Sequence, residues 1–208
     1  MSRDNYHALI KSGKAGAPLV FAFHGTGGDE NQFFDLAEQI LPDAAIISPR
    51  GDVSEMGAAR FFRRTGEGVY DMADLGRATK AMAAFVAAHK DGHPDAPVYG
   101  FGYSNGANIL ASAVMAQPGL FDRAGLLHPL IPWQPDPAPE LKGHQVLITA
   151  GKRDPICPWP QSQALFGWFK DQGAEVRTEV HGGGHELRQS EIEALADFLR
   201  APALEGAA

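Results

Sequence analysis

Apolar positions in this chain fall into short continuous runs divided by longer segments of helical spacing. The run Leu19-Val20-Phe21-Ala22-Phe23, and those at 44–48, 97–101, 124–128 and 145–150, hold few polar residues. Strands buried on both faces of a parallel sheet read this way. The run 174–180 alternates instead, as an edge strand does. Between them, 71–89 sets Leu75, Ala78, Met82, Phe85 and Val86 on one helical face. Helices are also predicted over 105–117, stopped by Pro118-Gly119, and over 160–172 and 186–200. Asp29 is placed to cap a further helix running to Ile40, with Gln32 completing a capping box. Positions 6–11 predict a short edge strand and 13–18 a turn, while the Ala-Gly-rich tail 202–208 reads as disordered. Over 49–69 neither period holds, which predicts a loop arching over a site. Strands alternating with helices give an α/β fold, a mostly parallel central sheet covered by helices on both faces, with no stretch left for a large cap domain.

At 208 residues the chain makes one domain, 1–208, with a substantial core. Lys plus Arg total 18 against 25 Asp plus Glu, a net charge of -7. That balance argues against a nucleic-acid partner and against stable membrane association. The N-terminus lacks an apolar signal core, and no apolar run approaches a membrane span. With the single cysteine, Cys157, which permits no intrachain disulfide, this places the protein in the cytoplasm. None of it fixes an oligomeric state, and a homo-oligomer stays open.

The chemistry concentrates where the run ending at Phe101 meets Gly102-Tyr103-Ser104-Asn105-Gly106. A Gly-x-Ser-x-Gly between strand and helix is the pattern of a nucleophile elbow: the sharp turn crowds its own backbone, so side chains two residues either side of the serine would clash. A serine hydroxyl needs a base, and the base needs an acid partner to fix its tautomer. Asp154, in Gly151-Lys152-Arg153-Asp154-Pro155, follows a buried strand; His185, in His181-Gly182-Gly183-Gly184-His185, follows the last strand on a flexible loop. His181 competes for the role of base but lies nearer the sheet. His181 and His185 as a metal pair are disfavoured, because the glycines between them set no helical geometry and no carboxylate cluster completes a shell. Backbone N–H groups of Asn105, directly after the nucleophile, and of Thr26, in the loop after the first buried strand, are the expected oxyanion donors.

The order Ser104, Asp154, His185 is that of alpha/beta hydrolases. Taken together, His24-Gly25-Thr26-Gly27-Gly28-Asp29-Glu30, Ser48-Pro49-Arg50-Gly51, Phe61-Phe62-Arg63-Arg64, Gly102 to Asn108 and Gly184-His185-Glu186-Leu187 resemble the bacterial phospholipase/carboxylesterase branch of that superfamily, which includes small esterases linked with hydroquinone response. The resemblance runs from about 19 to 199. It implies a cofactor-free serine esterase acting on a small-molecule ester, with Ser104, Asp154 and His185 as the triad. His24, Met56, Phe61, Phe62, His128, Trp133 and Ile156 are the expected substrate contacts. A lysophospholipase or acyl-thioesterase would use the same triad, and a non-catalytic binding protein on a hydrolase scaffold is the reading from a different class.

Overall fold

The structure is a computed structural model that describes residue 3 and residues 5–202; the tail from 203 onward lies outside the described residues. A seven-stranded sheet forms its centre, built from β1 (Ala8–Lys11), β2 (Leu19–Phe23), β3 (Ala45–Pro49), β8 (Val98–Tyr103), β9 (Arg123–Leu127), β10 (Gln145–Gly151) and β11 (Glu175–His181) in the order β1-β3-β2-β8-β9-β10-β11. All neighbours run parallel except the edge pair β1 and β3. The apolar runs mark these strands because the sheet is covered twice. Leu19, Phe21 and Phe23 of β2 pack on one face with Leu75, Met82, Phe85, Ile109, Leu110 and Phe169. Val20 and Ala22 point to the other face, against Phe33, Ala37, Leu195, Phe198 and Leu199.

The first face is closed by α2 (Met72–Lys90), α3 (Asn105–Ala116) and α4 (Trp159–Asp171), the second by α1 (Phe34–Ile40) and α5 (Gln189–Arg200). Asp71 caps α2, its side chain accepting from Asp74 N–H at 3.0 Å. At the other end of α5 the guanidinium of Arg123 donates to the carbonyls of Phe198, Leu199 and Ala201, orphan acceptors a helix cannot satisfy itself.

Two expectations are corrected. Asp29 and Gln32 do not cap α1, which begins only at Phe34 with no side-chain cap. Asp29 instead accepts from Asn31 N–H at 2.9 Å, and Gln32 from Gly25 N–H at 2.8 Å, so both tie down the loop after β2. The segment 49–69 is not structureless either. It folds into β4 (Val53–Glu55) against β5 (Ala58–Arg60), and β6 (Arg64–Gly66) leads back to β7 (Val69–Tyr70). Met56 and Gly57 join the first hairpin with φ of 49° and 89°, the doubly left-handed turn that a two-residue connection favours.

From β2 the chain moves through α1 toward one edge, then returns over α2 to β8 and proceeds to the opposite edge. The order therefore reverses between β2 and β8, and the loops leaving their carboxyl ends flank a crevice. Gly106 makes this junction tight: a Cβ there would overlap the carbonyls of Phe23 and His24. Gly106→Ala should cost more than about 2 kcal/mol, because backbone cannot step aside. Gly119→Ala, with nothing near its Cβ position, should change stability by no more than about 1 kcal/mol. Urea denaturation of both variants measures the difference.

Candidate active site

Ser104 stands at the end of β8 with φ 52° and ψ −115°, a strained conformation held by its N–H to Leu127 O at 2.9 Å and its C=O accepting from Asn108 N–H at 2.9 Å. Its Oγ lies 2.9 Å from His185 Nε2, and His185 Nδ1 lies 2.7 Å from Asp154 Oδ2. His185 is steadied by Tyr103, whose ring is 5.2 Å away and whose hydroxyl donates to the His185 carbonyl at 2.7 Å. His181 is not within this chain of contacts; its Nδ1 accepts from Gly183 N–H at 3.0 Å.

Asp154 is saturated. Oδ1 accepts from the N–H groups of Ile156 at 2.8 Å and Cys157 at 2.9 Å, while Oδ2 serves two imidazoles at once, His185 and, at 2.8 Å, His128 Nδ1. These partners outweigh the burial that opposes its charge, and hold its carboxyl well below the ordinary range. His128 lies fully buried between two carboxylates, its Nε2 facing Glu191 Oε1 at 2.9 Å. Burial opposes its protonation, but the two carboxylates prevail and push it up to about 9, so it is an imidazolium at neutral pH. Glu191 also caps α5 through Arg188 N–H at 2.8 Å and approaches His181 Nε2 at 3.1 Å. Both imidazoles approach Glu191 closely without forming a hydrogen bond to it.

His128, His181 and Glu191 are of metal-ligating type and lie close together, as do His128, Asp154 and His185. The amide donated to His181 Nδ1 leaves that ring's proton on Nε2, the atom facing Glu191. A metal ligand would need Nε2 bare. The first cluster is therefore a set of proton-bearing contacts. The second is occupied by hydrogen bonds of 2.7 and 2.8 Å.

Ser104, His185, Asn105 and Thr26 border one cavity of about 300 Å³, shared with Arg60, Arg64, Tyr70, Asn108, Leu130 and Ile156. Asn105 is the first residue of α3, where amide N–H groups have no partner inside the helix. Its side-chain Oδ1 accepts from Phe61 N–H at 2.8 Å, and Thr26 Oγ1 accepts from Arg60 at 2.6 Å, so both loops are fixed.

Of the expected substrate contacts, Ile156 lines this cavity. The others do not, for identifiable reasons. His24 is buried and spent: Nδ1 donates to Gly25 O at 2.7 Å, Nε2 accepts from Gly51 N–H at 2.8 Å, and burial keeps it neutral. Phe61 and Phe62 are core residues, packed on Phe23 at 5.8 Å and Tyr70 at 4.8 Å. Met56 is fully exposed at the hairpin tip. His128 lies beneath Asp154, and Trp133 borders a neighbouring hollow with Ile131, Leu165 and Trp168. Arg60 and Arg64 were missed because the segment 49–69 shows no period that would aim its side chains; Tyr70 follows directly on that segment, and Asn108, one turn into α3, was read as part of the elbow alone.

A mostly parallel seven-stranded sheet with a strained serine elbow at its switch point is the alpha/beta-hydrolase fold. No family model matches the chain. It is 36% identical to MhqD of Bacillus subtilis, named as a hydrolase, over 184 residues that cover 88% of this chain and 92% of that one. Among solved structures it resembles Atu2452 of Agrobacterium tumefaciens, 56% identical with a TM-score of 0.90 over 96% of this chain and 98% of that one. It also resembles the Bacillus cereus carboxylesterase, 34% identical with a TM-score of 0.85 over 93% and 92%. The chain belongs to the carboxylesterase family of alpha/beta hydrolases that contains these relatives. It is thus a hydrolase, with esterase-type relatives. Among the described residues no helix is long and apolar enough to cross a membrane.

The buried charges make stability depend on pH in two places. His128 is raised from 6.5 to about 9, so its contribution is whole below pH 6.5 and disappears as pH rises through about 9. Asp154 is depressed below 3.8, so its contribution is whole above that pH and disappears as pH falls beneath it. His128→Gln, which leaves two buried carboxylates facing a neutral amide, should cost on the order of 3–5 kcal/mol at pH 6. It should also flatten the fall in melting temperature between pH 6.5 and 9. Thermal denaturation of both proteins across pH 4–10 reads this out; an unchanged alkaline slope would mean that other groups carry it.

Proposed function

We propose that the protein is a serine carboxylesterase of small esters, in which Ser104, His185 and Asp154 act as a triad. The observation that supports this best is the unbroken series Ser104 Oγ, His185 Nε2, His185 Nδ1, Asp154 Oδ2, at 2.9 and 2.7 Å. Ser104 Oγ attacks the ester carbonyl carbon as its proton passes to His185 Nε2. Asp154 holds His185 in the tautomer that leaves Nε2 free to accept, and balances the imidazolium that forms. The tetrahedral oxyanion is met by the N–H groups of Thr26 and Asn105. Collapse breaks the bond to the alcohol oxygen, which leaves with the proton from His185. Water, deprotonated by His185, then attacks the acyl-serine; the carboxylic acid departs and Ser104 recovers its proton. No step draws on a cofactor.

The cavity also bears on chain length. About 300 Å³ is on the order of ten water volumes and lies at the lower end of ligand pockets. Acyl chains gain roughly 0.8 kcal/mol per buried methylene only while apolar wall remains to cover them, and here Tyr70, Leu130 and Ile156 supply little of it. Activity on p-nitrophenyl esters should peak at a short acyl chain. A rise in kcat/KM through ten or more carbons would favour the lysophospholipase or thioesterase reading.

Ser104→Ala should stay folded, lose labelling by a fluorophosphonate probe and lose hydrolysis of aryl esters; a tenth of the original turnover would sink the assignment. His185→Ala should fall almost as far, because members of such a unit do not contribute separately. Asp154→Asn should lower kcat by orders of magnitude with binding little changed. If folded, unmodified protein takes up no probe at all, the non-catalytic binding reading replaces this one.

A further inference from the structure

The cavity beside Ser104 contains two cations that the hydrolytic steps do not use. Arg60, closing β5, has a side chain only 4% exposed. Its Nη1 donates to Thr26 Oγ1 at 2.6 Å, its Nε donates to Phe62 O at 3.2 Å and lies 3.3 Å from Glu55 Oε2. Arg64, opening β6, spends its Nε on both oxygens of the same Glu55, each at 3.0 Å. One carboxylate therefore serves two guanidiniums. Among the described residues, Nη2 of Arg60 and both Nη groups of Arg64 have no protein acceptor.

Glu55 offsets one of the two positive charges, and the buried groups around the cavity offset none of the other. Tyr103, pushed up to about 12 by burial, and Tyr70 and Cys157, also raised by burial, are neutral at working pH. Glu67 is the acidic residue that lines the cavity; it sits at the exposed turn of the second hairpin, where water screens it, and forms no ion pair among the described residues. Arg60 is disfavoured as a cation first by burial and then by Arg64 beside it, yet a guanidinium does not give up its proton. The cost of holding it charged is offset when an anion arrives. A guanidinium presents a planar fork of N–H donors that matches a carboxylate, and it gains most where water is excluded.

We propose that Arg60 and Arg64 form a carboxylate-binding subsite, so that the preferred substrates are small esters carrying a second, free carboxylate. This rests on the esterase reading and gives it a substrate class. A purely structural role would end at the bonds to Thr26, Phe62 and Glu55; the unpartnered amino groups of these two cavity-lining residues are what that role leaves unexplained. A cavity of about 300 Å³ suits a compact diacid monoester better than a lipid.

Two substrate pairs followed by pH-stat test the subsite. Monoethyl succinate against ethyl pentanoate puts the charge on the acyl half, and acetoxyacetate against propyl acetate puts it on the alcohol half. For at least one pair, kcat/KM should favour the anionic ester about tenfold or more, and added salt should reduce the preference. Arg64→Gln should lower that ratio at least tenfold, mainly through KM of the anionic ester, and Arg64→Lys should restore part of it. Arg60→Gln should lower it too; Arg64, being partly exposed, keeps the test valid if the Arg60 variant does not fold. Ratios at or below one for both pairs, with the neutral esters turned over, would overturn the subsite and leave the esterase standing. A ratio unmoved by Arg64→Gln would also overturn it. No turnover of any of the four esters, with no phosphonate labelling of Ser104, would instead remove the esterase reading beneath it.

Discussion

The constraint on which the site depends is the absence of a side chain at Gly106. A Cβ there would collide with the carbonyls of Phe23 and His24, and one at Gly102 would lie 2.6 Å from the Gly106 carbonyl carbon. Only because both positions are bare can α3 start directly against the end of β2. That approach brings the loop carrying Thr26 beside the first amide of α3, and it forces Ser104 into its positive φ. The strain at Ser104 and the neighbourhood of two loops far apart in sequence are one geometric fact. The strain persists because the sheet beneath is packed on both faces and cannot yield.

Asp154 is the electrostatic counterpart. A carboxylate serving one imidazole could swing its second oxygen toward solvent or another donor. Here Oδ1 is fixed by two backbone amides, so Oδ2 has one orientation, and it faces His185 and His128 together. The second imidazole costs burial of its own charge, which Glu191 offsets from the other side, and Glu191 is in turn held because it caps α5. The position of His185 is thereby linked to the start of a helix on the outer face. A glycine-rich loop such as 181–185 is intrinsically mobile; its histidine is placed by what it docks against, namely Asp154 and Tyr103.

The sheet was legible because burial on both faces writes itself as unbroken apolar runs, and β2, Leu19–Phe23, falls where its run does. Ser104, Asp154 and His185 were legible for a related reason: the first two sit just past such runs and the third past the alternating edge strand, and an open parallel sheet gathers its strand ends along one edge. The segment 49–69 was not. Its strands are two or three residues long, too short for alternation to register, and their turns are set by single residues, Met56, Gly57 and Gly68. Phe61 and Phe62 misled because adjacent aromatics suggest one exposed wall, whereas the backbone sends one to Phe23 and the other to Tyr70. His24 and Gln32 misled because their polar atoms satisfy buried backbone, His24 at Gly25 and at Gly51 just past β3, Gln32 at Gly25, a need that appears only once the chain is folded.

What the sequence hides in that segment is also where the proposed subsite resides. Ser104, Asp154 and His185 sit at the ends of sheet strands and on loops locked to them, an arrangement suited to chemistry that demands fixed distances. The two hairpins contribute Arg60, Arg64, Glu67 and Tyr70 to the cavity, yet they pair only with themselves and belong to neither helix layer. Their anchorage includes Gly27 N–H to Ala59 O at 3.0 Å, Arg60 to Thr26, Phe61 N–H to Asn105, Arg63 N–H to Asp74, the Tyr70 hydroxyl to Leu130 O, and the buried rings of Phe61 and Phe62 between the hairpins. Substitutions inside a hairpin can therefore alter what the cavity recognises with little effect on the sheet. The exception is Arg60, which joins the two roles: its Nη1 braces the loop that carries Thr26, while its Nη2 has no acceptor among the described residues. A change at Arg60 must disturb both positioning and recognition, whereas a change at Arg64 bears on recognition and on the Glu55 bridge alone, which is why the two arginines are not equivalent.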